Sequence, residues 1–358
     1  MLAKNLVGFC WMNFIVRKET LLFLFISTIA ALIVGNRGDT NDTQIYYDVF
    51  RYIDQLPLLN PVSFYAQTGM EVGFGWYSWL INLFTSSNIV LFTIFSFLNF
   101  VFIYKTCREI GIKYIYTFLI YISSSYFFMQ QFMQMRQGLA ICIVIYATIC
   151  ILKRGVSLAP VLLLLLSISL HQSSLLLIAF CAMFYFFRKT FLFSYQYFIR
   201  LNWVMFFSFV VVFKFLLLRI LIGASSRLQQ YSDSGSYNEE ISLFSLPNIR
   251  TFLILMVLTY FSSERLRQNE LYRLFLFLIF TALAIRIGFS EFAIMSGRLS
   301  TAFSYVEIFA LSMFFINRFA PITRGALLLI YCALQLFIVL YFQAPYLWNL
   351  YFMPLHLY

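Results

Sequence analysis

From residue 20 to residue 342 the chain repeats one pattern: an unbroken apolar run, a short polar turn, then another apolar run. The runs fall near 20–35, 88–104, 114–130, 137–152, 156–171, 173–187, 201–218, 249–262, 271–289, 299–316 and 325–342. They are continuously apolar rather than alternating, which excludes transmembrane β-strands. Most approach the roughly 20 residues that carry an α-helix across a hydrocarbon core. The chain is 62% hydrophobic and only 11% charged, whereas a soluble domain carries about 25% charged residues. No soluble fold of this length hides so much apolar surface. The expected fold is therefore an all-α polytopic membrane protein of about eleven transmembrane helices (10–12), forming a single integral membrane domain over 1–358.

The net charge of +11 is explained by the excess of Lys and Arg in cytoplasmic loops rather than by a nucleic-acid partner. Arg17/Lys18, Lys105/Arg108/Lys113, Lys153/Arg154, Arg188/Lys189/Arg200, Arg265/Arg267 and Arg318/Arg324 occupy alternate loops, which places those loops in the cytoplasm. The parity holds only if 72–84 does not cross. Its Trp76, Tyr77 and Trp79 suit an amphipathic helix at the outer interface. The run 5–16 is too short to cross easily and suits an interfacial helix or half of an extra span.

Two long external loops follow, 36–87 with its interfacial helix and 219–248 as a loop or lid, and the aromatic tail 343–358 is also external. The six cysteines lie in or beside apolar runs, so no disulfide framework is expected. No cleavable signal peptide is evident. Internal repeats are not visible, which speaks against many transporter folds.

This orientation sets Arg37, Asp39, Glu71, Arg136, His171, Arg286, Glu291 and Arg298 on one side of the membrane. Arg136 lies in a glutamine-rich stretch, and its planar fork suits phosphate oxygens; a snorkelling contact with headgroups is the plainer alternative. Arg298 is expected to open its helix, at the positive dipole end where an anion would bind. Arg286 and Glu291 flank the preceding turn and could pair with each other. Glu307, deeper in the bundle, is expected to neutralise an arginine. His171 closes a span and can exchange protons near neutral pH, or act only as a hydrogen-bonding cap. The carboxylates after residue 37, with Tyr46 and Tyr47, suit sugars or a plain solvated loop. Glu71, beside the interfacial helix, is a proton-carrier candidate. There is no phosphate-binding glycine loop, paired Cys-x-x-Cys or zinc-type histidine cluster. Neither a metal nor a cofactor is expected.

The ordered set Arg37-x-Asp39 with Tyr46, Glu71-x-Gly73-Phe74, Arg136-Gln137-Gly138-Leu139-Ala140, His171-x-Ser173 and a late Arg298 resembles the Wzy-type polysaccharide polymerases, in particular the EpsG-like exopolysaccharide branch. The resemblance implies a GT-C-like helical enzyme of the bacterial inner membrane with its active site facing the periplasm. It would join oligosaccharide repeat units carried on undecaprenyl pyrophosphate, building O-antigen, capsule or exopolysaccharide. A chain-length regulator and a flippase are the implied protein partners. On that reading His171, Glu71 and Asp39 are the candidate catalytic groups. Arg136, Arg298 and Arg286 would bind pyrophosphate, and Arg37, Asp42, Tyr46, Gln137 and Glu291 would contact sugar. A ligase for lipid-linked glycan and a flippase or transporter of it are the alternatives. Polar groups concentrated at one end of the runs, rather than along their depth, favour the enzyme. A membrane acyltransferase would want its donor site nearer the cytoplasm.

Overall fold

The computed structural model describes residues 18–38, 40, 42–217 and 241–343, and every regular element among them is helical. The 5–16 run, Asp39, most of the 219–248 loop and the tail beyond Gln343 lie outside the described residues. Seven described helices are long and apolar enough to cross a membrane: Lys18–Gly35, Asn88–Ile110, Met135–Arg154, Tyr195–Leu216, Glu270–Gly288, Ser296–Arg318 and Pro321–Phe342. Three apolar helices are shorter, at Leu158–Leu170, Ser174–Phe186 and Leu246–Tyr260. A 13-residue helix such as Leu158–Leu170 covers about 20 Å of a hydrocarbon core about 30 Å thick.

The contacts group into two compact units, one formed by the chain up to Gln172 with the part from Leu329, the other by Ser173–Leu328. In the first, α1 (Lys18–Gly35) lies against the first turns of a later helix. Gly35 permits this approach, since a Cβ there would meet Thr93 Oγ1 at 2.0 Å and the Ile89 carbonyl at 2.9 Å. The connection to that helix carries α2 (Thr43–Arg51), α3 (Pro61–Thr68) and α4 (Val72–Asn82). Asn60 starts α3 by accepting the Ser63 N–H (3.1 Å) with proline at the first helical position. The eleven residues of α4 bury Phe74, Ser78 and Ile81 and leave Trp76 and Trp79 exposed, and a helix of this length is too short to cross a bilayer.

Next come α5 (Asn88–Ile110), α6 (Tyr114–Ile122), α7 (Ser125–Phe128), a π-helical turn (Met129–Met133), α8 (Met135–Arg154) and α9 (Leu158–Leu170). α5 packs on α1 and α8, α8 on α9, and α4 on both α9 and α2. Gly155 reverses the chain between α8 and α9 at φ 82° and ψ 176°, a backbone state essentially open to glycine alone. Tyr46, Phe50, Phe74, Phe92, Phe95, Leu139 and Ile143 share one apolar core. Here the structure corrects the sequence reading. The run 114–130 is not one helix: it breaks at Ser123–Ser124, and the second piece runs into a π turn that ends at a further break at Gln134.

The second unit contains α10 (Ser174–Phe186), α11 (Arg188–Leu192), α12 (Tyr195–Val212), α13 (Leu246–Tyr260), α14 (Glu264–Arg267), α15 (Glu270–Gly288), α16 (Ala293–Ser304) and α17 (Glu307–Arg318). α18 (Pro321–Ile338) begins in this unit and ends in the first. Asn269 caps α15 by accepting the Tyr272 N–H (3.0 Å). α15 is buried along nearly its whole length and packs against α12, α13, α16 and α17. Glu307 forms a two-pronged ion pair with Arg250, Nη1 to Oε2 at 3.1 Å and Nη2 to Oε1; this is the buried neutralisation the sequence leads one to expect. The run 299–316 is also divided. α16 starts at Ala293, six residues before the expected start, and gives way to α17 at Tyr305–Val306. Arg298 therefore lies in the second turn of its helix rather than the first, and the argument from the helix N-terminus does not apply to it.

Candidate functional site

The break before α8 organises the first unit's polar groups. The π turn closes with Gln134 N–H bonded to the Met129 carbonyl (2.6 Å), and Gln134 leaves helical geometry at φ −100° and ψ 48°. A helix that stops leaves its last carbonyls without intrahelical donors. Three of them find side-chain donors here. Arg37 gives Nη2 to the Gln131 carbonyl (2.8 Å) and Nη1 to that of Phe132 (3.1 Å). Thr40 Oγ1 also donates to Phe132 O (2.7 Å), and Tyr46 Oη donates to Met133 O (3.2 Å). Arg37 Nε donates to Val34 O (3.2 Å) at the end of α1, and the guanidinium carbon lies 3.9 Å over the Phe92 ring.

Arg136 sits in the first turn of α8, immediately after this break. Its Nη1 forms an ion pair with Glu71 Oε2, and both side chains are mostly enclosed, 15% and 14% exposed. Glu71 occupies the residue before α4, and its other oxygen accepts the backbone N–H of Gln172 (3.0 Å), just past the end of α9. One carboxylate thus joins the start of α4, the start of α8 and the turn after α9. The close passage of α4 over α9 makes this possible: a Cβ on Gly73 would come within 2.5 Å of the Ser169 carbonyl oxygen. The guanidinium carbon of Arg136 stands 5.8 Å from the Tyr46 ring. Burial pushes the Tyr46 hydroxyl above its ordinary pKa, opposed by the charges of Arg136 and Arg37, so the hydroxyl remains a donor at neutral pH.

Of the residues the sequence singles out, Glu71, Arg136 and the His171–Gln172 turn come together, and Arg37 and Tyr46 lie among the same elements. His171 ends α9 in extended backbone with its N–H on the Ser167 carbonyl (3.0 Å). Asp39 is outside the described residues. Asp42 is half-buried at the start of α2, where its side chain makes no capping bond. Three of the expected sugar contacts are buried in the protein. Arg37 is 0% exposed with its donors on protein carbonyls, Tyr46 is 2% exposed in the core, and Gln137 is 1% exposed. In the second unit, Arg286 Nη1 reaches Ser300 Oγ (3.5 Å) and its carbonyl accepts from Ser296 Oγ (2.8 Å). Arg298 is exposed on α16. Glu291 pairs with Lys214 (3.0 Å), not with Arg286 as the sequence allowed. No group of three or more His, Cys, Asp or Glu among the described residues is placed to hold a metal ion.

Sequence reasoning missed the Gln172 N–H and Thr40. Lys214 stands out in the sequence as a charge inside an apolar run, an exception to the clustering of polar groups at one end, but its pairing with Glu291 was not foreseen.

Among the described residues every regular element is helical and seven helices are long and apolar enough to cross a membrane, which defines a multi-pass membrane protein. The family model described as the EpsG family matches residues 20–355, nearly the whole length, and the chain belongs to that family. Membership suggests an exopolysaccharide-related polymerase. No curated protein and no solved structure matches the chain.

Proposed function

We propose that the protein polymerises oligosaccharide repeat units carried on undecaprenyl pyrophosphate at the periplasmic face of a bacterial inner membrane. A hydroxyl of one lipid-linked unit attacks the anomeric carbon of the growing glycan. A glycosidic bond forms, the bond from the anomeric carbon to phosphate oxygen breaks, and the lipid pyrophosphate leaves with its charge increased. The hydroxyl proton passes to a protein base. The observation that carries this reading is the Arg136–Glu71–Gln172 cluster. It is a cation held at the end of a transmembrane helix by a carboxylate that contacts only one of its terminal nitrogens. A preorganised guanidinium stabilises charge growing on a leaving phosphate without reorganising at the moment of reaction. Both Glu71 oxygens are engaged, which favours His171, next to Gln172, as the proton acceptor and Glu71 as the group that holds Arg136. Arg286 and Arg298 are the second unit's candidates for the same phosphate chemistry and are tested on their own.

The test is deletion of the gene and complementation with wild-type, Arg136→Ala, Arg298→Ala or His171→Ala, followed by gel separation of surface glycan. Wild type restores a ladder of long chains. Arg136→Ala and Arg298→Ala reach the membrane in normal amount but give single repeats. Long chains in the Arg136 variant defeat the reading. In the deletion strain, accumulation of free lipid-linked polymer would instead identify a ligase, and repeats trapped in the cytoplasm a flippase.

A further inference from the structure

We infer that Arg37 is a positioning residue: a permanent internal cation that fixes the helix break at 131–134 and thereby sets where Arg136 stands. This inference rests on the polymerase reading for its activity arm only. Arg37 is wholly enclosed, and its nitrogens contact the carbonyls of Val34, Gln131 and Phe132 while its carbon lies on the Phe92 ring. Carbonyls released where a membrane helix is interrupted need donors from the protein, because lipid provides none. In many proteins such a cluster of carbonyls binds a metal cation. Here a guanidinium tied to α1 fills that role, with Thr40 and Tyr46 supplying two further donors at the same break. Arg136 begins the next helix two residues after Gln134, so the break sets the direction from which its side chain meets Glu71.

The geometry requires arginine. Its planar fork reaches three acceptors on two different elements at once, whereas a lysine ammonium is a compact point on a flexible stem. Contact with the glycan is disfavoured by the same facts, since these donors point at the protein and the side chain has no exposed surface.

The experiment uses full-length protein in proteoliposomes, with a lipid-pyrophosphate-linked repeat unit as substrate. Arg37→Lys is compared in the wild-type and Arg136→Lys backgrounds, alongside amide hydrogen exchange over 129–138. Arg37→Lys should lower turnover at least about tenfold and raise KM in the wild-type background. It should add less than about threefold once Arg136 is already lysine, because two groups acting through one contact are not additive. Exchange at Gln134–Gly138 should accelerate while the folded fraction stays constant. If Arg37→Lys is too damaged to fold, Thr40→Val and Tyr46→Phe each remove one donor to the same break and should accelerate exchange there to a smaller extent. Equal losses of turnover in both backgrounds overturn the inference. So does native-like exchange over 129–138 in Arg37→Lys with polymerisation lost, which would make Arg37 a substrate contact. The exchange arm needs no activity, so failure of the polymerase reading leaves it able to decide.

Discussion

Gly73→Ala isolates the junction that holds the Glu71 carboxylate in place. The added Cβ would sit 2.5 Å from the Ser169 carbonyl oxygen, 2.6 Å from its carbonyl carbon and 2.6 Å from its Oγ. Two of those atoms are backbone of α9 and cannot rotate away. Comfortable carbon contacts need about 3.5 Å, so α4 and α9 must separate by roughly 1 Å. Overpacking of this kind costs about 1–3 kcal/mol. Glu71 lies two residues before Gly73 and moves with it. Its 3.0 Å bond from Gln172 N–H would then stretch beyond about 3.5 Å and be lost, which removes about 1.5–3 kcal/mol for a hydrogen bond to a charged group. Gly75→Ala on the same helix is the control. The three nearest atoms to its Cβ are side-chain rather than backbone atoms, Phe64 Cζ at 2.6 Å, Phe64 Cε2 at 2.7 Å and Leu58 Cδ2 at 2.9 Å, so the buried Phe64 ring must shift but α9 need not. Thermal unfolding in detergent and glycan chain length measured on the same variants should show Gly73→Ala much less stable, with polymer shortened or absent. Gly75→Ala should lose less stability, through the buried Phe64 ring alone, and keep long polymer. Equal behaviour of the two variants would refute the account of the α4–α9 junction.

Glu307→Gln removes the negative charge facing Arg250 in a site where the two side chains are 1% and 11% exposed; it should cost about 3–5 kcal/mol, read as a fall in melting temperature. The double change Arg250→Met with Glu307→Leu should recover most of that loss. By contrast, the Lys214–Glu291 pair is 40% and 48% exposed, and Glu291→Gln should change stability by less than about 1 kcal/mol. A loss of long glycan with unchanged melting would then report contact of Glu291 with substrate, whereas unchanged glycan removes it from the candidate sugar contacts.

The positions of helices were legible because an apolar run of membrane length has few other options. Each of the eleven expected runs contains helix, and a short helix forms at Val72–Asn82. The interruptions were not legible. The break at Gln134 is stabilised by donors from Arg37, Thr40 and Tyr46, nearly a hundred residues away along the chain, with no glycine or proline at the break itself. The only local sign was the density of glutamines from Gln130 to Gln137. Charged residues at the ends of runs were recognised as exceptional, yet their type did not distinguish their roles. Arg37 and Arg136 read alike in the sequence. One is surrounded by carbonyls and aromatic rings, the other faces a carboxylate, and those neighbours come from segments whose meeting no local pattern announces.

The helix lengths explain why these charges are needed where they are. α8 has 20 residues and is long enough to traverse a hydrocarbon core, with Arg154 at one end and Arg136 at the other. α9 returns beside it with only 13 residues, so the extended turn at His171–Gln172 falls short of a full crossing. The π turn and Gln134 interrupt the chain on the other side of Arg136. Non-helical backbone beside helices of membrane length persists only where protein or water satisfies it. Glu71 satisfies the Gln172 N–H, and Arg37, Thr40 and Tyr46 satisfy the carbonyls at 131–133. The same groups that make irregular backbone tolerable therefore bring a cation, a carboxylate and a histidine to one level of the first unit. A continuous pair of helices would have no use for them, and the site exists because the helices are incomplete.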